Sequence, residues 1–336
     1  EHLIPEGDLT KTFLLLLASP NVASKRWIYH QYDTTVRTST AVRPGGDSGV
    51  IRIRGTERAI AATTDCNGRF VYLDPRQGAM IAVAEAARNL VCSGAIPTAI
   101  TNNLNFGNPL KQHIYYQFRE AVLGMADACK AFETPVTGGN VSFYNETDGL
   151  AIYPTPVIGM VGIIENVSHI SPQSFQSEGD DIVLLGENTA EIGGAEYLYV
   201  TAGLVAGFPP RVDLTHERQL QRAVLTMIQE KELRSAHDCS DGGLACALAE
   251  CALGDGEAPF GVNVVLDDAL PPVATLFAES QGRIVVSCAP DRTENVIRLA
   301  MDHGVPARTI GTVGGREEPF HVTTVSGQIE TDLTSL

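Results

Sequence analysis

Nowhere in the 336 residues does a lysine follow a glycine, so the chain has no P-loop to cradle phosphates. A G-x-G-x-x-G opening a helix, an H-E-x-x-H pair and a G-x-S-x-G elbow are missing too. That removes the dinucleotide, zincin and serine-hydrolase signatures. Basic residues are scarce, 24 Lys and Arg against 40 Asp and Glu, and a net charge of −16 excludes the basic footprint of a nucleic-acid surface. The apolar run Phe13–Ala18 is too short to span a membrane, and the acidic stretch before it does not fit a signal peptide. The seven cysteines are odd in number and form no C-x-x-C pair. They read as buried thiols in a reducing compartment rather than disulfides or a zinc site, and the protein is expected in the cytoplasm. Glu1 in place of a methionine suggests a piece excised from something larger.

What is present is an ordinary globular composition, 44% hydrophobic with 32 glycines, long enough for two cores. A chain this acidic can hold phosphates only with help from metal ions, helix N-termini or backbone amides. Alternating strand and helix patterns predict an α/β or α+β fold. Residues 1–20 read as a leader or linker with a helix around Leu9–Leu17. In the first domain, 21–165, Ile51 and Ile53 share one strand face, Ile60–Thr63 leads to Asp65, and helices are predicted over Gln77–Cys92 and Gln112–Phe132. A polar connector, 166–180, precedes a second domain, 181–336, with strands at Asp181–Leu185, Val262–Leu266 and Arg283–Cys288. Helices are expected there at Glu217–Glu230, Leu244–Leu253 and Thr293–His303. Trp27 and Tyr29 read as core packing.

Three constellations carry chemistry. Glu85 and Asn89 are four apart on one alanine-rich helix face, and Asp65 ends a strand. This is a hard-oxygen set suited to Mg²⁺, or otherwise a solvated polar stripe. His237-Asp238-Cys239-Ser240-Asp241-Gly242-Gly243 opens a helix that Ser240 or Asp241 can cap. Its glycine amides are free to face an anion, and Asp238 can add a metal ligand, or else the segment is a plain capped turn. Gly138-Gly139-Asn140-Val141-Ser142 permits close approach of backbone to a ligand. The Asn-rich loop Thr101–Pro109 lies upstream of it, and two ordinary loops are the other reading.

Seven segments in order resemble one family: Trp27–Asp33, Thr64–Arg69, Ala82–Asn89, Leu104–Pro109, Gly139–Glu146, Tyr153–Gly159 and His237–Leu244. Together they are similar to the second half of the synthetase subunit of phosphoribosylformylglycinamidine synthases, in a superfamily with aminoimidazole ribonucleotide synthetase. The resemblance implies an N-type domain whose mixed sheet pairs with a sister domain, followed by a C-type α/β domain. It implies ATP-dependent phosphorylation of the amide oxygen of formylglycinamide ribonucleotide, then displacement of phosphate by ammonia, in purine biosynthesis. Partners would be the first repeat of the same subunit, a glutaminase subunit and a small accessory subunit, with no nucleic acid and no membrane.

Residue by residue, the resemblance assigns Asp65, Glu85, Asn89 and Asp238 to Mg²⁺ at an auxiliary nucleotide site, with Ser240 touching ATP or ADP there. In the catalytic site Asn102 and Gly139 would contact ATP, Asn140 would bind Mg²⁺ and Ser142 would meet substrate. Many members carry aspartate where this chain has Asn102. The catalytic histidine belongs to the first repeat and none of the eight histidines here has its context, so the chain alone is expected to be inactive. A stand-alone homodimeric synthetase or kinase of the same superfamily is the first alternative, and a non-catalytic Mg-nucleotide scaffold the second. With one sheet face uncovered, the isolated chain is expected to form a homodimer.

Overall fold

The computed structural model describes residues 7–254 and 259–336, so the first six residues of the predicted leader lie outside it. The first part runs α1 Leu9–Leu17, α2 Arg26–Tyr29, β1 Thr40–Val42, β2 Gly49–Arg52, β3 Ala59–Asp65, α3 Gly68–Leu73, α4 Pro75–Cys92 and β4 Ile96–Asn105. It continues with α5 Gln112–Phe132, β5 Val136–Ser142, the small hairpin β6 Glu146–Thr147 and β7 Leu150–Ala151, and β8 Thr155–Ile164. The second part runs β9 Asp181–Leu185, α6 Glu196–Ala202, α7 Leu214–Gln229, β10 Ser235–Asp238, α8 Gly243–Leu253, β11 Val262–Leu266 and α9 Pro272–Phe277. It ends with β12 Ile284–Cys288, α10 Thr293–Asp302, β13 Ala307–Val313, β14 Phe320–Thr324 and β15 Gly327–Thr331.

The first sheet has strand order β1-β2-β3-β8-β4-β5, antiparallel except for the β4–β5 pair. Helix α4 covers one face because Asp74 caps it, accepting from the Arg76 and Gln77 amides, and because its alanines let strands come close. The opposite face stays open. Ile51, Ile60, Ile163 and Ile96 lie in register across four strands, and Ile51, Ile60 and Ile96 are exposed.

The second sheet has order β10-β12-β9-β13-β11-β14-β15 and is covered on both faces. Alternation along β9 shows how: Ile182 and Leu184 join the core under α8 and α9, while Val183 and Leu185 join the core under α7 and α10. Val91 and Cys92 of α4 belong to that last core, so the helix carrying Glu85 and Asn89 is wedged between the two parts.

Two expectations are corrected. The predicted leader is not a separate tail, since Phe13 and Leu16 of α1 are fully buried in the second core and Phe13 stacks on Phe320 at 5.0 Å. Trp27 is no core residue: it is 79% exposed, because the four-residue α2 buries none of its side chains. All seven cysteines are free thiols, and six of them are buried.

Candidate functional site

Where α4 meets the second part, a cavity of about 550 Å³ opens. Asp65 enters it from the end of β3, Glu85 and Asn89 from α4, Asp47 from the turn before β2, and Ser240 and Asp241 from the turn after β10. Asn89 Nδ2 donates to both carboxylate oxygens of Asp65 at 3.2 Å, and Asn67 Nδ2 donates to Asp241 Oδ1 at 3.3 Å. Burial, with repulsion from neighbouring carboxylates, pushes Asp65 up to about 7 and drives Glu85 well above its usual range. Asp241 is raised by burial too.

The cavity wall also holds His237, whose Nδ1 lies 2.7 Å from Asp47 Oδ1 and whose Nε2 lies 2.9 Å from Glu250 Oε2. Burial opposes its charge, but the two carboxylates more than offset this and hold the imidazolium well above its normal pKa. Crowded acids of this kind, all oxygen donors, suit a hard divalent cation such as Mg²⁺. Among the described residues, however, no three His, Cys, Asp or Glu side chains stand as a ready-made cage.

Asp238 does not share this cavity. Its carboxylate is turned into the guanidinium of Arg88, with Nε to Oδ1 at 2.5 Å and Nη2 to Oδ2 at 3.4 Å. Nor does a side chain cap α8: Gly242 is the cap residue, in the left-handed conformation at φ 79, so neither Ser240 nor Asp241 plays that part. The glycine amides expected to face an anion are engaged already. Gly242 N–H donates to Glu279 Oε1 at 2.9 Å, and Gly243 N–H donates to the Ser240 carbonyl at 3.0 Å. Glu279 also accepts from the Glu196 amide, and burial beside Asp241 pushes it up to about 8.

The third constellation forms a separate surface. Parallel pairing of β4 with β5 sets Asn102 opposite Gly139, Asn103 opposite Asn140 and Asn105 opposite Ser142. Asn140 Nδ2 donates to Asn103 Oδ1 at 3.0 Å, and Ser142 Oγ donates to Asn145 Oδ1 at 3.2 Å. A Cβ at position 139 would lie 2.1 Å from Asn102 Oδ1, so the close contact of these two strands requires glycine there. Asn102 to Asn105 are therefore strand residues rather than loop. The low strand propensity of asparagine hides this in the sequence. Asp65 and Asn102 both pair with Ile158, which places the two clusters roughly 10 Å apart across one intervening strand.

Sequence reasoning did not single out Asp47, Glu250 or Glu279, and it named Arg88 only within a motif. Arg88 left one signal, a cation inside the alanine-rich stretch 82–89 and one residue before Asn89. Glu279 left none.

Comparison with known proteins places this architecture. The AIR synthase related protein N-terminal domain matches residues 45–164, and the corresponding C-terminal domain matches residues 177–323. A phosphoribosylformylglycinamidine synthase subunit PurL from Moorella thermoacetica is 52% identical over 313 residues, covering 93% of this chain and 42% of that protein. The PurL subunit of Caldanaerobacter subterraneus subsp. tengcongensis is 50% identical, also over 93% of this chain and 42% of its own length. The chain thus spans about two fifths of these relatives. Among solved structures, T. maritima PurL complexed with FGAR superposes with TM-score 0.78 at 19% identity, over 98% of this chain and 53% of the other. The same protein complexed with ATP gives 0.74 at 20% identity, over 97% and 51%. Two matching domains in the right order, on a mixed α/β scaffold with relatives at half identity, mean that this chain belongs to the AIR synthase related family.

Proposed function

We propose that the chain supplies one half of an ATP-dependent synthetase that turns the amide of formylglycinamide ribonucleotide into an amidine, as the PurL names of its relatives imply. The observation that carries this reading is the parallel β4–β5 pairing, which sets Asn102 against Gly139 with Asn140 and Ser142 following along β5. In the reaction the substrate amide oxygen attacks the γ-phosphorus of ATP and ADP departs. Ammonia then adds to the activated carbon, and phosphate leaves as the C–N bond is established. Gly139 lets the nucleotide approach the backbone, Ser142 offers its hydroxyl to substrate, and Asn102 and Asn140 offer amide groups at the phosphate end. Mg²⁺, when bound, would neutralise phosphate charge beside Asn140.

The remaining catalytic groups, including a histidine able to move protons, would come from a first repeat packed on the open sheet face. A glutaminase subunit and a small accessory subunit would complete a cytoplasmic complex. The domains would divide at 21–165 and 181–336, with α1 packed on the second. ADP release with formylglycinamide ribonucleotide, ATP and ammonium is the test. We expect none from this chain alone and turnover once the first repeat is co-expressed. Ser142→Ala should lower that turnover by about 10²-fold, the scale of a lost positioned group. Robust activity of the isolated chain, abolished by Ser142→Ala, would refute the half-enzyme reading.

The cavity supports a second role for the same chain, as a non-catalytic seat for a Mg-nucleotide. Asp65 and Glu85, steered by Asn89, would hold the ion, and Ser240 would touch the nucleotide. The observation in favour is the convergence of these four residues from both parts of the chain on one space.

A further inference from the structure

Arg88 is fully buried, yet every nitrogen of its guanidinium has an acidic or amide partner from the second part of the chain. Nη1 meets Glu217 Oε1 of α7 at 2.5 Å, and Nη2 meets Gln281 Oε1 at 3.0 Å. Nε and Nη2 take both oxygens of Asp238 on β10. The ion pairs to Glu217 and Asp238 are themselves 0–1% exposed, so water does not compete for these charges. Both Asp238 oxygens are turned to Arg88, and Asp238 is not among the residues lining the cavity. Asp65 and Glu85, by contrast, line it, and Asp65 is held there by the Asn89 amide rather than by an ion pair.

We propose that Arg88 is a built-in cation of this site. It withdraws Asp238 from ion binding and makes it a positioning residue that locks the two domains, leaving Asp65 and Glu85 to bind the cavity's divalent ion without it. The second half of this statement rests on the reading of the cavity as a cation site. The first half does not. A guanidinium fits the place better than an ion shared with the cavity would: its planar fork reaches Asp238, Glu217 and Gln281 at once, from three different segments. The start of α8 follows the same logic, where the Glu279 carboxylate fills the amide seat that a bound anion would otherwise take. The chain thus answers two of its own charge demands with side chains.

The test uses Mn²⁺ as a paramagnetic probe of carboxylate cation sites. Binding is followed by electron paramagnetic resonance, alongside thermal melts in chelator, on the whole chain. Glu85→Gln should weaken Mn²⁺ binding by about 10-fold or more, the loss expected when one carboxylate ligand is removed, without lowering the chelator melt. Asp238→Asn should do the reverse, lowering the chelator melt by several degrees while Mn²⁺ affinity stays within about threefold through loss of a nearby charge alone. Glu217→Gln breaks the same ion-pair cluster without touching the cavity and should mimic Asp238→Asn, so the conclusion does not depend on one variant folding. An Asp238→Asn protein that melts like the parent, or that loses Mn²⁺ as Glu85→Gln does, overturns the lock and makes Asp238 a ligand. A parent that binds no Mn²⁺ overturns the cation reading of the cavity, while the melts still decide the lock.

Discussion

At the scale of single residues, burial decides which charges are comfortable. Glu279 accepts from the Gly242 and Glu196 amides through one oxygen only, and burial beside Asp241 raises it to about 8 from the ordinary 4.5. A carboxyl raised in the folded state binds its proton more tightly there than in the unfolded chain. Its contribution to stability is therefore full below the unfolded pKa of 4.5 and is lost as pH rises toward about 8. The chelator-treated chain should accordingly melt lower at pH 8 than at pH 5.5. Glu279→Gln, which keeps an oxygen for both amides, should flatten that slope when melts are compared across the range. Gly139 acts through space rather than charge. Gly139→Ala would place a Cβ 2.8 Å from the Asn102 carbonyl oxygen, forcing β4 and β5 apart. Mg-ATP affinity measured by calorimetry on the complemented complex should fall by about 10-fold or more, as contacts set by that spacing are lost.

At the scale of elements, helix α4 is the piece on which both clusters depend. Its small residues let α5 and the sheet approach so closely that a Cβ at Gly124 of α5 would stand 2.2 Å from the Arg76 carbonyl oxygen. Gly124→Ala should destabilise the fold by about 1–3 kcal/mol through overpacking, read from the midpoint of denaturant unfolding. The element ranges most legible in the sequence are those with strong 3.6-residue patterns. The predicted helix Gln112–Phe132 is found with those bounds, because Ile114, Phe118, Met125 and Cys129 pack along one side. Less legible were β10 and the C-terminal end of β4. Ser235–Asp238 is buried at every position, so it has no alternation to read, and the asparagines of β4 speak against a strand.

At the scale of the whole molecule, one sheet is covered on both faces and the other on a single face. The open face carries Ile51, Ile60 and Ile96 in register, and the exposed strand β5 forms its edge. Unpartnered surface of this kind favours pairing with another copy when nothing else covers it. Light scattering at micromolar concentration should show the isolated chain associating, with Ile60→Lys weakening association by about 10-fold through a charge placed on that face. A monomer over a wide concentration range would count against a sister domain on this face.

The sequence by itself determined the mixed α/β class, the long helices, the placing of Glu85 and Asn89 on one helix face, and the family resemblance. All of these depend on residues a few positions apart or on short motifs in order. The tertiary structure alone decided where the charges end. Arg88 meets Glu217 and Asp238 across 129 and 150 residues, and Glu279 reaches Gly242 across 37. Periodicity states which side chains share a face. It carries no information on which distant carboxylate a buried guanidinium will choose, because that is settled by how two sheets and the helix between them pack together and exclude water.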